Sequence, residues 1–300
     1  MVRIFLIFLL NILPAKVIAS SCCGQGPSSF LVLSGSQRYV VSTSLTYSDS
    51  LGRVADTDKV LTYWEKKSRS VQNLSISIGG TLRDRHQWFA LTSLQKGTYR
   101  DSIESGTSVH LGDTILGYTY EALPEYRFSY WKPIVYLSPI VNLPTGHSIY
   151  DEAKLSEGAD VTGHNQWGAG IGLTLKKVYF PWTLSLQFKS LYLFPKQFRN
   201  IEVSGFTDNS VAFMTSFASR FYELTVNLGL TMTHLSPRSL EGFDIRSDAS
   251  KSYTAMFGAQ KSLTDRWTIG ASFSDQSLIG PAENTLLNRS ISFFTSLNYF

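Results

Sequence analysis

The feature that most constrains this chain is an alternation of apolar and polar residues with a period of two. It is clearest between residues 221 and 234, where one parity is apolar and the other is polar. The apolar parity holds Tyr222, Leu224, Val226, Leu228, Leu230 and Met232, and the polar parity holds Glu223, Thr225, Asn227, Gly229 and Thr231. Successive side chains of a strand point to opposite faces, so this segment predicts a strand with one apolar face and one polar face.

The same alternation recurs along the chain and predicts about twelve strands, an even number of the kind found in closed bacterial barrels. We therefore expect an all-β fold, a closed antiparallel transmembrane β-barrel. The predicted strands are 38–48, 69–82, 87–97, 108–121, 127–143, 164–177, 182–194, 206–219, 221–234, 251–263, 266–275 and 289–300. Two of them are irregular: Phe89 and Leu91 share a parity that should be polar, and residues 134–143 are apolar on both parities.

The connections between the predicted strands alternate in length. Short turn-like links lie at 83–85, 122–125, 219–220 and 264–266, and long polar links lie at 49–69, 98–107, 144–163, 195–204, 236–250 and 276–287. Outer-membrane barrels have short turns on the periplasmic side and longer loops on the extracellular side. This order favours a membrane barrel over a soluble β-sandwich, which has no need of it.

The composition of the polar faces indicates which side of the sheet is inside. These faces carry Ser, Thr and Gly rather than Lys and Glu, and charged residues make up only 17% of the chain. Aromatic residues, 13% of the chain, recur near predicted strand ends, as in the girdles at the two membrane interfaces. We expect the apolar face to contact lipid. A net charge of +4 without a dense basic cluster argues against a nucleic-acid partner.

The N-terminus has the pattern of a secretory signal peptide, residues 1–19. Arg3 precedes an apolar run from Ile4 to Leu13, and small residues precede a cleavage site after Ala19. Cys22 and Cys23 are adjacent, so they cannot join distant parts of the fold. Cys22 is a candidate for lipidation, and an inert or disulfide-linked pair is the alternative. Residues 20–37 form an N-terminal segment that could plug the barrel, and 38–300 form the barrel itself.

The chain ends on Tyr299 and Phe300, directly after the last predicted strand. A terminal aromatic residue is the signal that the barrel-assembly machinery recognises in its clients. The sequence thus predicts a bacterial outer-membrane location, with the assembly machinery and outer-membrane lipids as partners.

Two short motifs resemble an outer-membrane family named for the MetA pathway of phenol degradation. The first runs from Leu111-Gly112-Asp113-Thr114 to Leu116-Gly117-Tyr118, and the second is Leu143-Pro144-Thr145-Gly146, followed by the Gly-rich stretch 168–172. His110 departs from the family pattern, in which a glycine often precedes the Gly-Asp pair. The resemblance implies a barrel that moves small, often hydrophobic compounds, and it assigns no binding residues.

The candidate site residues lie at strand positions whose side chains are predicted to face the barrel interior. These lumen-lining candidates are Asp113, Glu121, Gly168, Gly170, Gly172, Lys176, Lys189, Glu223 and Asn227. The charged members form either an acidic patch lining the lumen or a salt-bridged plug, because buried charges need partners. The alternating glycines leave room on the inner wall, either for a solute or for residues 24–37.

Passive transport of small neutral or hydrophobic solutes is the function that the sequence favours. A non-conducting structural barrel is the first alternative, and a barrel-wall lipid hydrolase using Ser236 and His234 is a weaker one, because no acid follows in register. His147, Asp151, Glu152, Asp160 and His164 fit no standard metal spacing. We expect no enzyme activity, no metal and no cofactor.

The loop order leads to a test of sidedness. A cysteine at Ser156 should react with an impermeant thiol reagent on intact cells, and a cysteine at Asp265 should be protected. The reverse labelling pattern would contradict the assignment of long loops to the cell exterior.

Overall fold

The computed structural model describes residues 31–33, 37–55, 61–151, 155–199, 201–219, 223–241 and 245–300. The predicted signal peptide and the cysteine pair lie outside these residues. The strands are β1 (Tyr39–Val54), β2 (Leu61–Tyr63), β3 (Ser68–Arg83), β4 (His86–Arg100), β5 (Ser105–Leu111), β6 (Thr114–Leu123), β7 (Ile134–Leu143), β8 (Gly168–Tyr179), β9 (Trp182–Leu193), β10 (Lys196–Phe198), β11 (Ile201–Val203), β12 (Phe206–Ser219), β13 (Leu224–Leu235), β14 (Arg238–Glu241), β15 (Ile245–Ser247), β16 (Ser250–Ser262), β17 (Trp267–Asp275) and β18 (Thr285–Tyr299).

The described strands form a closed antiparallel barrel of 12 strands, as the sequence predicted. Each barrel strand pairs with its neighbours in chain order, and β5 and β6 together act as one strand beside β4. Closure comes from β1 and β18, which pair from Tyr39 opposite Tyr299 to Val54 opposite Thr285. Closure satisfies the backbone polar groups that an open sheet would expose to lipid.

The apolar face of the wall points outward and the polar face points inward, as the composition indicated. On β13, Leu228 is 49% exposed to the outside, whereas Asn227 beside it is 7% exposed and faces the interior. Large apolar side chains cover the exterior of the other barrel strands in the same way, and Trp182 and Trp267 lie at the ends next to the short turns. An apolar exterior around a polar interior is the arrangement of a membrane barrel, so the soluble-sandwich alternative is wrong.

Several strand boundaries differ from the predicted ones. The predicted strand 108–121 is broken at Gly112 and Asp113, where the wall bends. The N–H group of Gly112 donates a hydrogen bond to the carbonyl oxygen of Ser93 at this break. Strand β7 begins only at Ile134, since residues 124–133 form an irregular segment before it. Strand β13 begins at Leu224, after Glu223 in a turn with φ 51°. Tertiary pairing decides such ends, which periodicity alone does not mark.

Beyond the wall, the long connections carry structure of their own. Strands β10, β11, β14 and β15 form a small sheet from the two links that follow β9 and β13. Strands of three or four residues are too short for an alternating pattern to reveal. The link after β7 includes a short 3-10 turn, Ser156–Gly158.

No helix in the described part of the chain has the length and apolar character needed to cross a membrane.

The direction in which the Leu228 side chain faces can be tested by replacing Leu228 with a charged residue. Leu228→Arg places a guanidinium on the lipid-facing surface near mid-strand and should lower the free energy of unfolding by about 2–4 kcal/mol. Leu228→Phe keeps an apolar group there and is the matched control. Urea titration of the protein in lipid vesicles measures both changes, and equal stability of the two variants would contradict the assigned faces.

Candidate functional site in the barrel interior

The interior of the wall is lined largely by hydroxyl and amide side chains. Buried inward-facing residues include Ser42, Ser77, Thr119, Ser138, Asn142, Thr174, Ser185, Ser210, Asn227 and Ser296. Such groups bond one another across neighbouring strands, as Thr119 and Ser138 do at 2.8 Å. The wall therefore offers neutral donors and acceptors to its contents, as the sequence indicated.

Lys189 and Asp208 form an ion pair inside the barrel. The Nζ of Lys189 on β9 lies 2.7 Å from Oδ2 of Asp208 on β12, and the two side chains are 8% and 13% exposed. Two charges removed from water are tolerated when each is the partner of the other. For Lys189, the geometry agrees with the salt-bridged interpretation of the inward charges. The sequence did not indicate that Asp208 is its partner.

The other charged candidates do not gather into one patch. Asp113 and Glu121 are eight residues apart on one barrel strand, roughly 26 Å at the usual rise of a strand. Glu121 and Lys176 are half-buried on inward-facing parities of β6 and β8. Glu223 is exposed in the turn before β13, so its assignment to the interior is corrected. An acidic patch is therefore not what these residues form.

Asp113 instead anchors the loop 144–167. Its carboxylate accepts hydrogen bonds from the backbone N–H groups of Gly146 at 2.9 Å, His164 at 2.7 Å and Asn165 at 3.3 Å. Charge-assisted bonds of this kind are stronger than neutral ones. Asp113 lies at the break between β5 and β6, where the side chain can reach both ends of the loop.

The anchored loop folds into the mouth of the barrel. Ala159 lies against the backbone at Gly97, and Leu155 lies against Gly106, in each case where a Cβ would not fit. Both glycines have inward-facing parity on β4 and β5. Burial lowers the pKa of His164, which contacts the ring of Phe206 edge-on at 5.1 Å between centroids. The loop thus narrows the opening of the barrel at the end that carries the long connections.

Gly168, Gly170 and Gly172 face inward, but the space beside the first two is occupied. At Gly168 the side chains of Leu191 and Leu193 fill it, and at Gly170 the backbone of Ser190 and Leu191 approaches closely. The expectation that this row leaves room for a solute or for residues 24–37 is corrected for these two positions. Strand β9 itself takes the room, because the neighbouring strands approach closely there.

An apolar cluster crosses the interior where the wall is least polar. Its buried members are Leu31, Leu33, Val40, Phe89, Ile140, Leu191, Leu193 and Phe206. Phe89 fits against Gly117, and Leu31 fits against Gly79. Phe89 and Leu91 are apolar residues at positions of β4 where polar side chains were expected, which weakened the prediction of this strand. These two residues are the sign of the apolar cluster in the sequence.

Residues 31–33 belong to this cluster without being part of the wall. The Leu33 N–H donates to Oε1 of Gln87 at 2.9 Å, and Nε2 of Gln87 donates to Leu33 O at 3.1 Å. The buried amide of Gln87 thus satisfies both backbone groups of Leu33, as a neighbouring strand would. Gln87 was not among the sequence candidates, because nothing distinguishes its inward amide from the others.

A cavity of about 970 Å³ lies at the extracellular mouth. It is enclosed by the ends of β1, β3, β4 and β18 together with the inward-folded loop, whose Glu157 and Val161 contribute to its lining. We call this cavity the vestibule. It is the largest opening among the described residues through which a solute could approach the apolar cluster.

The histidines do not assemble into a catalytic or metal site. His110 and His147 stack at 4.3 Å between ring centroids, and His147 Nδ1 lies 3.8 Å from Asp151. In the described part of the chain, no three His, Cys, Asp or Glu side chains come together as metal ligands would. His234 has the parity of Met232 on the outer face, away from the polar interior.

Comparison with known proteins bears on the fold. No known family and no curated protein matches the sequence. Among solved structures, the COG4313 outer membrane channel from Pseudomonas putida F1 superposes with a TM-score of 0.68 over 91% of this chain and 97% of that chain, at 14% identity. This chain has the same fold. The NanC porin covers 86% of this chain and 100% of its own, with a TM-score of 0.48 and 10% identity.

The architecture places the chain in a bacterial outer membrane, as expected. The narrower resemblance to the MetA-pathway family is not established by these comparisons.

Loss of the Asp113 carboxylate should release the loop. Asp113→Ala removes three charge-assisted hydrogen bonds, each worth roughly 1.5–3 kcal/mol, so we expect faster proteolysis within residues 144–167 and lower stability. Asp84→Ala, in an exposed periplasmic turn, is the control. Limited proteolysis of the folded protein in vesicles measures the effect, and identical cleavage of both variants would contradict the anchoring role.

Proposed function

We propose that the barrel passes small, largely apolar solutes across the outer membrane, and that residues 31–33 close the path. The observation that carries this proposal is that the apolar cluster is completed by a segment outside the wall. Only a movable element can open a path through a barrel whose wall is fixed by its hydrogen bonds.

The contacts of this segment suit a reversible closure. Leu31 and Leu33 pack on apolar side chains, and the polar contact found for Leu33 is with the single side chain of Gln87. Displacing Leu33 would break two neutral hydrogen bonds, each worth about 0.5–1.5 kcal/mol net. A solute with an apolar body could take the place of the leucines against Phe89 and Leu191.

The hydroxyl-rich wall fits the same class of solute. Neutral donors and acceptors hold no ion strongly, and Lys189 is neutralised by Asp208. This supports a path for largely apolar molecules rather than one for simple inorganic ions.

A permanently closed structural barrel is the second candidate, and one observation favours it. Between β13 and β18 the interior is tightly packed, with a void of only about 10 Å³ among Asn227, Met256, Phe294 and their neighbours. Asn227→Arg would overfill this region. If transport occurs, the path runs on the opposite side, along β4, β7 and β9.

Gln87 provides the test that separates the two functions. Gln87→Ala removes both bonds to Leu33 and should raise single-channel conductance in planar bilayers and arabinose uptake in liposome swelling. Gln260→Ala is the matched control, because Gln260 is also buried and faces inward but lies on β16, away from the path along β4, β7 and β9. If neither variant conducts, even after residues 24–37 are deleted, the transport proposal is overturned and the structural barrel remains.

A further inference from the structure

The charges around the vestibule do not balance. Its described lining includes four cationic side chains, those of Arg53, Lys67, Arg69 and Arg238. Only two carboxylates, those of Asp101 and Glu157, line the same cavity. The excess is positive at all physiological pH values, since it comes from arginine and lysine.

Both carboxylates already have partners. Glu157 lies 3.9 Å from Arg53 and 3.3 Å from Lys67. Asp101 accepts bonds from the backbone N–H groups of Ile103 and Glu104 and from the Tyr99 hydroxyl, each at 2.7 Å, and the pKa of Asp101 is lowered by these hydrogen bonds. Neither carboxylate forms a salt bridge to Arg69 or Arg238 within 4.0 Å among the described residues. The two arginines therefore supply the positive character of the cavity.

Arg238 is held in place by aromatic rings. Its guanidinium carbon lies 5.4 Å from the ring centre of Tyr150 and 5.1 Å from that of Phe206. A guanidinium on aromatic faces keeps N–H donors at its edge, where a carboxylate can accept two of them. Phe206 belongs to the apolar cluster, so Arg238 lies where the vestibule meets that cluster.

Arg69 faces the cavity from the opposite strands with donor capacity to spare. Its two terminal nitrogens bond neutral oxygens, Ser50 Oγ at 3.3 Å and Gly158 O at 3.2 Å. Its Nε is buried and has no hydrogen-bond partner among the described residues. Arg69 therefore contributes positive charge to this wall of the cavity.

The remainder of the lining mixes neutral polar side chains, among them Ser148, Gln276, Asn284 and Asn288, with apolar ones. Ile149, Leu155, Val161 and Leu286 contribute side chains, and Tyr99 adds an aromatic ring. A ligand that suits this cavity has one anionic group and an apolar body. An inorganic anion would leave the apolar side chains uncovered, and a neutral hydrocarbon would leave the arginines without an acceptor.

We propose that the vestibule binds small organic acids, in which a single carboxylate meets Arg238, Arg69 adds positive charge from the opposite wall, and an apolar or aromatic body lies against the apolar side chains of the cavity. This inference deepens the proposed function, because it gives the largely apolar solute an anionic head group. The sequence favoured small neutral or hydrophobic solutes, and the cationic lining of the vestibule is the reason for adding an anionic group to them.

Binding to the full-length protein in detergent tests this directly, with benzoate as the probe and benzamide as its uncharged isostere. Titration calorimetry should show benzoate binding more tightly than benzamide, and added salt should weaken only the benzoate. Arg238→Gln should weaken benzoate binding by at least roughly fivefold, as expected for loss of a charge-assisted contact, and Arg69→Gln, which removes a charge from the opposite wall, should weaken it by a smaller factor. Arg238→Lys, which keeps the positive charge, should lose less affinity for benzoate than Arg238→Gln.

Arg266→Gln, in an exposed turn at the other end of the barrel, is the control and should bind benzoate as the wild type does. Arg69 and Arg238 lie on separate strands, so misfolding of one variant leaves the other as a test. Equal binding of benzoate and benzamide, or unchanged binding in both Gln variants, would overturn the proposal. Benzoate binding without conductance would refute transport alone, whereas conductance without benzoate binding would refute the organic-acid site alone.

Discussion

Pairing of β1 with β18 is the interaction on which the rest of the molecule depends. A bilayer offers no hydrogen-bond partners, so every N–H and C=O of a spanning strand must be satisfied within the protein. Closure from Tyr39–Tyr299 to Val54–Thr285 achieves this for the first and last strands. Once the ring is closed, the face of each side chain is set by its parity, and apolar residues are forced outward into lipid.

Closure also creates an interior that a small barrel has to fill. Hydroxyl pairs, a buried ion pair and an apolar cluster share this space, and Lys189 and Asp208 follow the rule that buried charges need partners. Two non-wall elements complete the filling: residues 31–33, bonded by Gln87, and the loop 144–167, anchored by Asp113. A wall fixed by its own hydrogen bonds leaves these two elements as the parts that can regulate passage.

The path that we propose is amphipathic along its length. Its outer end is a cavity with an excess of arginine, and its inner end is a cluster of leucine and phenylalanine completed by the N-terminal segment. Phe206 belongs to the cluster and stacks beneath Arg238, so the polar and apolar zones meet at one ring. Such a gradient suits a solute that presents a charged head before an apolar body.

The sequence by itself determined the barrel, the number of strands and the direction of the faces, because alternation has a period of two whatever the chain contacts later. It also located Lys189 and the three inward glycines on the inner face of their strands, whereas Asp113 lies at the break between β5 and β6. Only the tertiary structure decided what those residues do. The partners that matter are distant in sequence: Asp208 for Lys189, the loop backbone for Asp113, and β9 for Gly170. Gln87 and Arg238 were not predicted for the same reason, since a glutamine and an arginine acquire these roles only when folding brings Leu33, Tyr150 and Phe206 beside them.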